Sequence, residues 1–126
     1  MANIIVVDDS AFLVKQIVAF LESNNHHVIA TGKNGIEAVD LYREHKPDLI
    51  TLDITMPNKS GADALKDIFQ EFPEAIALMI SALKDKGIIR DCIDLGAKGY
   101  VEKPLKFKDD EFCEEFLENI EDALEV

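Results

Sequence analysis

The sequence predicts an α/β domain, doubly wound, with one five-stranded parallel sheet and five helices. Two observations carry this. Strand-like and helix-like hydrophobic patterns alternate five times along 126 residues, as β-α units feeding one parallel sheet do. The strand-like runs are short and apolar at successive positions, as strands covered on both faces must be. At this length the chain is expected to be one domain, residues 1–126, with an ordinary core, no linker and no output domain.

The elements follow in order. Ile4-Ile5-Val6-Val7 is the first strand and ends at Asp8-Asp9. Ser10 is the expected N-cap of the first helix, where Val14, Ile17, Val18 and Leu21 take the i, i+3, i+4, i+7 spacing of one buried face. Asn24-Asn25 stops that helix, and His27 to Thr31 reads as the second strand. Gly35 to His45 is helical with Val39 and Tyr42 inward, and Pro47 breaks the chain before a third strand, Leu49 to Leu52, which closes on Asp53. Beyond the turn from Pro57 to Gly61, Leu65, Ile68, Phe69 and Phe72 repeat the helical spacing until Pro73. Ala75 to Ile80 is the fourth strand and ends in the hydroxyl of Ser81. Lys84 to Leu95 is the fourth helix, burying Ile88, Ile89 and Cys92, with Gly96 as its stop. A short strand, Gly99 to Glu102, ends at Lys103-Pro104. A last helix then puts Cys113, Phe116, Leu117 and Ile120 on one face. Right-handed crossovers allow the strand order 2-1-3-4-5, with the switch point beside the first strand.

Composition narrows the function classes. Hydrophobic residues make up 48% of the chain and charged residues 30%, and no apolar run approaches the length of a membrane span. The start flows straight into the first strand without a charged n-region, so no secretory signal is expected. The net charge of −12 is uneven: residues 109–126 hold nine acids and no base, leaving 16 acids against 13 bases elsewhere. Nothing there resembles a basic footprint for nucleic acid. Cys92 and Cys113 read as reduced, buried thiols of a cytoplasmic protein. No Cys/His spacing suits zinc, and His26, His27 and His45 read as surface residues at element ends.

In a parallel sheet all strand C-termini open at one edge, where α/β folds place their ligands. That edge gathers Asp8, Asp9, Asp53, Ser81 and Lys103. Clustered carboxylates repel one another unless a cation sits among them. Three acids suit Mg²⁺, which keeps several waters and leaves room for a phosphoryl oxygen. An aspartate can itself be the nucleophile and form an acyl phosphate, with the metal and Lys103 neutralising charge on the transferring oxygens. Taken singly, each residue has a bland account. Asp8-Asp9 or Ser81 could cap a helix, Asp53 could end a strand, Lys103 could be a solvated loop lysine, and Tyr100 a packed edge aromatic. Taken together, on four strand ends, those accounts compete poorly.

Four pieces carry a family resemblance: Val7-Asp8-Asp9-Ser10; Asp53-Ile54-Thr55-Met56-Pro57, with Gly61 four residues on; Ser81-Ala82; and Gly96 through Pro104. In this order and on these strands, they resemble the receiver domain of two-component response regulators over nearly the whole chain. The resemblance implies a flavodoxin-like fold and a phosphoacceptor Asp53 charged by a histidine kinase. It implies Mg²⁺ held by Asp8, Asp9, Asp53 and the carbonyl of Thr55, and Lys103 against the phosphoryl group. Ser81 and Tyr100 are then the switch pair, Tyr100 turning from an exposed to a buried rotamer as Ser81 moves. Thr55 and Leu83 become the positions that tune attack by water, and the Lys103-Pro104 peptide is expected to be cis. Threonine is commoner in the family where this chain has Ser81, but the hydroxyl is kept. The Asp-Ile-Thr-Met-Pro variant, with serine at the switch, is similar to stand-alone chemotaxis regulators.

By this reading the chain is a signalling phosphoacceptor with self-phosphorylation and autodephosphorylation chemistry, not an enzyme in the usual sense. It is expected to be cytoplasmic, monomeric when unphosphorylated, free of nucleic acid and membrane, and to bind a protein target once phosphorylated. A flagellar motor switch, a phosphorelay partner and some other docked protein all stay open as targets. A phosphatase of the haloacid-dehalogenase type wants Asp-x-Asp after its first strand, and position 10 here is serine. A flavin binder of the flavodoxin type wants a hydroxyl- and glycine-rich first loop, and this chain has two acids there.

Overall fold

The computed structural model describes residues 2–125. Five strands and five helices alternate: β1 (Asn3–Val7), α1 (Ala11–Ser23), β2 (His27–Gly32), α2 (Gly35–His45), β3 (Leu49–Leu52), α3 (Gly61–Glu71), β4 (Ala77–Ser81), α4 (Lys86–Leu95), β5 (Tyr100–Glu102) and α5 (Asp110–Leu124). The strands form one sheet in the order β2-β1-β3-β4-β5, and all four pairings are parallel. The doubly wound architecture and strand order read from the sequence are both present.

The period of two along each strand divides the core into two layers. Ile5, Val7, Ile50, Leu52 and Met79 point to one face, under α2, α3 and α4, where Val39, Leu65, Ile68 and Cys92 meet them. Ile4, Val6, Leu49, Leu78, Ile80 and Val101 point to the other, under α1 and α5, where Ile17, Leu21, Phe116 and Ile120 meet them. Burial on both faces is why the strands read as unbroken apolar runs. Gly96 ends α4 at φ 129°, a conformation that suits glycine, and a Cβ there would press on the Phe69 ring at 3.1 Å.

The boundaries differ in places, for local reasons. α4 starts at Lys86 and not Lys84, because the Asp85 carboxylate accepts hydrogen bonds from the N–H groups of Gly87 and Ile88 and so caps the helix. β4 starts at Ala77, because Ala75 N–H is taken by Phe72 O in a turn. Ile88 and Ile89 are half-buried, and only Cys92 of the expected trio is fully inside. Cys113 is half-buried, not buried as expected: it sits at the rim of α5, and its Sγ donates to Phe107 O at 3.3 Å. The Lys103-Pro104 peptide is cis, as the resemblance implied. Among the described residues no helix is long and apolar enough to cross a membrane.

Among the described residues, one buried hydroxyl is left without a hydrogen-bond partner. Thr51, in the centre of β3, is 1% exposed and its Oγ1 makes no hydrogen bond. A buried, unpaired hydroxyl carries its full desolvation cost, whereas valine fills the same volume without one. Thr51→Val is therefore expected to stabilise the protein by about 1 kcal/mol in urea unfolding. A loss of stability would show that the hydroxyl has a partner in solution.

Candidate functional site

The C-terminal ends of β1 and β3 lie side by side, and the backbone ties them together. Asp53 N–H donates to Val7 O at 3.1 Å, and on the other side of β1 Asp8 N–H donates to Gly32 O at the end of β2 at 3.0 Å. The strand ends thus aim their acids at one point: one carboxylate oxygen from each of Asp8, Asp9 and Asp53 lies within 4.8 Å of the others. Asp8 and Asp53 are buried and Asp9 is exposed, so the cluster opens to solvent on the Asp9 side. Asp8 is held from both sides. Its Oδ1 accepts from Ser10 N–H at 2.9 Å, which leaves Ser10 Oγ free to cap α1 by accepting from Leu13 N–H.

Lys103 reaches this cluster from the end of β5. Its Nζ lies 2.7 Å from Asp8 Oδ2 and 3.3 Å from Asp53 Oδ2. The contact with Asp53 is angled as a hydrogen bond, while that with Asp8 is a close ion pair whose oxygen takes no aligned hydrogen bond. The Asp8 oxygen is thus buried with acceptor capacity to spare. Formally one ammonium faces three carboxylates, a local excess of negative charge that suits a divalent cation with oxygen ligands.

Burial works to lower the Lys103 pKa, but Asp8 and then Asp53 outweigh it and hold it above the ordinary lysine value. A raised lysine pKa means that the pairing contributes its full stability below the unfolded value of about 10.4. The contribution is lost as pH rises through the higher folded value. Without added metal, Lys103→Met is expected to be less stable than the parent by about 2 kcal/mol at neutral pH. In urea unfolding, that gap should hold to about pH 10 and close above it. A gap that stayed constant into strong alkali would refute the pairing.

The switch candidates meet through the backbone. Ser81 is buried at the end of β4, and its Oγ accepts from Leu83 N–H at 3.3 Å. Tyr100 is half-buried and not exposed as expected: its single hydroxyl proton is shared between Ser81 O at 2.9 Å and Leu83 O. Those two carbonyls hold the ring inward. Burial, then Glu102 and Asp53, keep the phenol pKa above the usual tyrosine range, so the hydroxyl stays a donor. Lys103 N–H donates to Ser81 O at 3.0 Å, so β4, β5 and the lysine share one anchor. Thr55 is exposed in the loop two residues beyond Asp53. That loop is closed by Gly61 N–H on Ile54 O at 2.7 Å, by Gly35 N–H on Lys59 O at 2.9 Å, and by an ion pair of Lys59 with Asp67. The roles of the Leu83 carbonyl and of Gly35 leave no trace in a motif, because both act through the backbone.

Comparison with known proteins places this arrangement. Residues 4–115 match the model of the response regulator receiver domain. The chain belongs to this family. The receiver is 43% identical over 104 residues to the chemotaxis protein CheY of Bacillus subtilis, covering 82% of this chain and 87% of that protein. Among solved structures it is similar to the CheX-CheY-BeF3-Mg complex from Borrelia burgdorferi. That likeness has a TM-score of 0.89 at 36% identity and covers 98% of this chain and 90% of that one. The response regulator domain of Thermotoga maritima CheB is equally near, with a TM-score of 0.88 at 36% identity over 98% and 96% of the two chains. As a receiver of this type, the chain is a signalling module of two-component systems with chemotaxis proteins among its relatives, and not a classical enzyme.

Proposed function

We propose that the chain is a phosphoacceptor response regulator in which Asp53 takes a phosphoryl group from a histidine kinase. The phosphorylated form then binds a downstream protein in chemotaxis or motility control. The observation that supports this best is the meeting of Asp8, Asp9 and Asp53 within 4.8 Å, with Lys103 against two of them. The three carboxylates and the carbonyl of Thr55 are the groups that would hold Mg²⁺. The spare acceptor capacity on Asp8 and the opening on the Asp9 side fit that ion. When bound, Mg²⁺ supplies charge neutralisation on the phosphoryl oxygens.

In the step itself an Asp53 carboxylate oxygen forms a bond to phosphorus while the bond from phosphorus to the donor imidazole breaks, and the imidazole departs with that electron pair. Lys103 carries its ammonium against the same carboxylate, where charge on the transferring oxygens develops. Ser81 gives up Leu83 N–H and donates its hydroxyl to a phosphoryl oxygen. Tyr100, fastened to the carbonyls of Ser81 and Leu83, follows that loop, so phosphorylation biases an existing equilibrium and creates no new state. The surface that reports the change is α4, β5 and α5. It is mixed in charge, with Lys86 and Arg90 on α4, Lys84 just ahead of it, and the acids of α5.

The test is incubation with Mg²⁺ and either a small acyl phosphate or a phosphorylated kinase. One acid-labile, hydroxylamine-sensitive phosphate is expected, and a stable phosphate on serine would overturn the reading. A further expectation concerns its lifetime. Leu83 packs its side chain against the apolar layer under α3 and α4 and offers no group to orient an attacking water. Leu83→Glu should shed the phosphate several-fold faster, and equal decay would count against this account. Capture of cell proteins by the beryllofluoride- and Mg²⁺-loaded form, but not by the unmodified form, would identify the target. It would also separate a motility protein from a phosphorelay partner.

A further inference from the structure

Lys103 is the first residue past β5, and the chain from there to Asp109 forms no helix or strand. Its own N–H is fixed on Ser81 O at 3.0 Å, which anchors it from one side only. A lysine carries its charge on a flexible four-carbon stem, so the place of the ammonium depends on how firmly the backbone is held. On the far side the next anchors are apolar: Leu105 and Phe107 pack into the layer between α1 and α5. Phe107 is the stronger of the two. Its ring stacks 5.0 Å from Phe20 of α1 and 5.8 Å from Phe116 of α5, and meets Phe112 edge-on at 5.9 Å. Phe20 and Phe116 stack in turn at 5.4 Å, and Phe116 is fully buried. The Phe107 carbonyl accepts from Cys113 Sγ at 3.3 Å, which fastens the same residue to α5 a second time. One residue of an irregular connection thus joins the two helices that cover this face of the sheet.

We propose that Phe107 is a positioning residue for phosphoryl transfer: its stack on Phe20 and Phe116 holds the connection so that Lys103 Nζ stays between Asp8 and Asp53. The proposal rests on the reading of Lys103 given above. It acts through the lysine, so its effect must vanish where the lysine is absent. Displacements near 1 Å in a reacting constellation can cost about a hundredfold in rate, and the loss of an anchor four residues away is a milder disturbance.

The experiment is a double-mutant cycle on the full chain, reading the rate of phosphorylation by acetyl phosphate at saturating Mg²⁺ and donor. Phe107→Ala is expected to slow the reaction about tenfold in the parent and less than twofold in a Lys103→Ala background. Phe107→Tyr, which keeps the stack, should restore the parent rate to within about twofold. If Phe107→Ala does not fold at the assay temperature, Phe107→Leu serves, with an expected slowing of about threefold confined to the lysine-containing protein. Equal losses in both backgrounds would reduce Phe107 to ordinary core packing and overturn the proposal, as would no loss in the parent. If Lys103→Ala alone left the rate unchanged, the reading of Lys103 would fail and this proposal with it. A slow Lys103→Ala beside an unaffected Phe107→Ala would sink the proposal alone.

Discussion

Asp53→Asn is expected to take no hydroxylamine-labile phosphate and, in the absence of divalent metal, to unfold at a higher temperature than the parent. The two halves have one cause. Asparagine keeps the shape of aspartate but is neutral and a poor nucleophile, so no acyl phosphate forms at this position. The same change removes repulsion with Asp8 and Asp9 and the cost of keeping a charge on a buried carboxylate, against one lost contact with Lys103. The balance favours the variant by about 1 kcal/mol, a shift of a few degrees in the midpoint. Added Mg²⁺ should then reverse the order. An ion that binds only the folded state stabilises it by about 2.7 kcal/mol at a hundredfold excess over its Kd, and the variant has lost one of the oxygens that would hold it. Thermal unfolding with and without Mg²⁺, beside mass detection of the phosphoryl group, reads both halves. A variant that gained as much from Mg²⁺ as the parent would remove Asp53 from the ligand set. A hydroxylamine-labile phosphate on the variant would move the acceptor elsewhere.

That so much of this site could be read from sequence follows from where its residues stand. Asp8 and Asp53 each follow a run of β-branched and apolar residues buried on both faces, and a parallel sheet delivers every such run to one edge. Position along the chain therefore implied position in space for those acids, and for Ser81 and Lys103 on the neighbouring strands. What the sequence hid depends on local competition. Lys84-Asp85-Lys86 is a string of alternating charge with no hydrophobic period. The α4 start was therefore set by which side chain could accept the first free N–H groups, and Asp85 did so. Ala75 and Ile76 are apolar enough for a strand, but Ala75 N–H had already gone to a turn. The inward Tyr100 is set by two backbone carbonyls, and carbonyls are the same at every residue. Phe107 stands in a polar stretch with no periodic pattern to single it out, and its stack is completed by Phe20, far away in the chain on α1, together with Phe116 of α5.

Gly61→Ala is expected to be the most damaging single methyl in the chain. Gly61 opens α3 and is buried, and its N–H is bound to Ile54 O at 2.7 Å. A Cβ there would lie 1.8 Å from Asp53 O, 2.8 Å from Asp53 C and 3.0 Å from Ile54 Cα. All three are backbone atoms, so no rotamer change can relieve the overlap. Either α3 must withdraw or the chain at Asp53 must yield. Withdrawal would pull Ala64, Leu65 and Ile68, all at 0% exposure, out of a close-packed layer. Yielding would displace Asp53 itself from Asp8 and Lys103. Overpacking of this kind costs about 3 kcal/mol or more in unfolding free energy. The protein that does fold should phosphorylate at least roughly tenfold more slowly, since reacting groups tolerate little misplacement. Gly87→Ala in α4 is the matched control. Gly87 is exposed, and the only atom its Cβ would meet is the Asp85 carboxylate oxygen at 3.2 Å, the end of a side chain. That change should stay within about 1 kcal/mol of the parent, because alanine favours a helix over glycine by a similar amount. Urea unfolding of both variants and the acetyl phosphate rate of the folded fraction decide the matter. If Gly61→Ala matched Gly87→Ala in stability and kept the parent rate, the loop at Asp53 would be far more compliant than its packing against α3 implies.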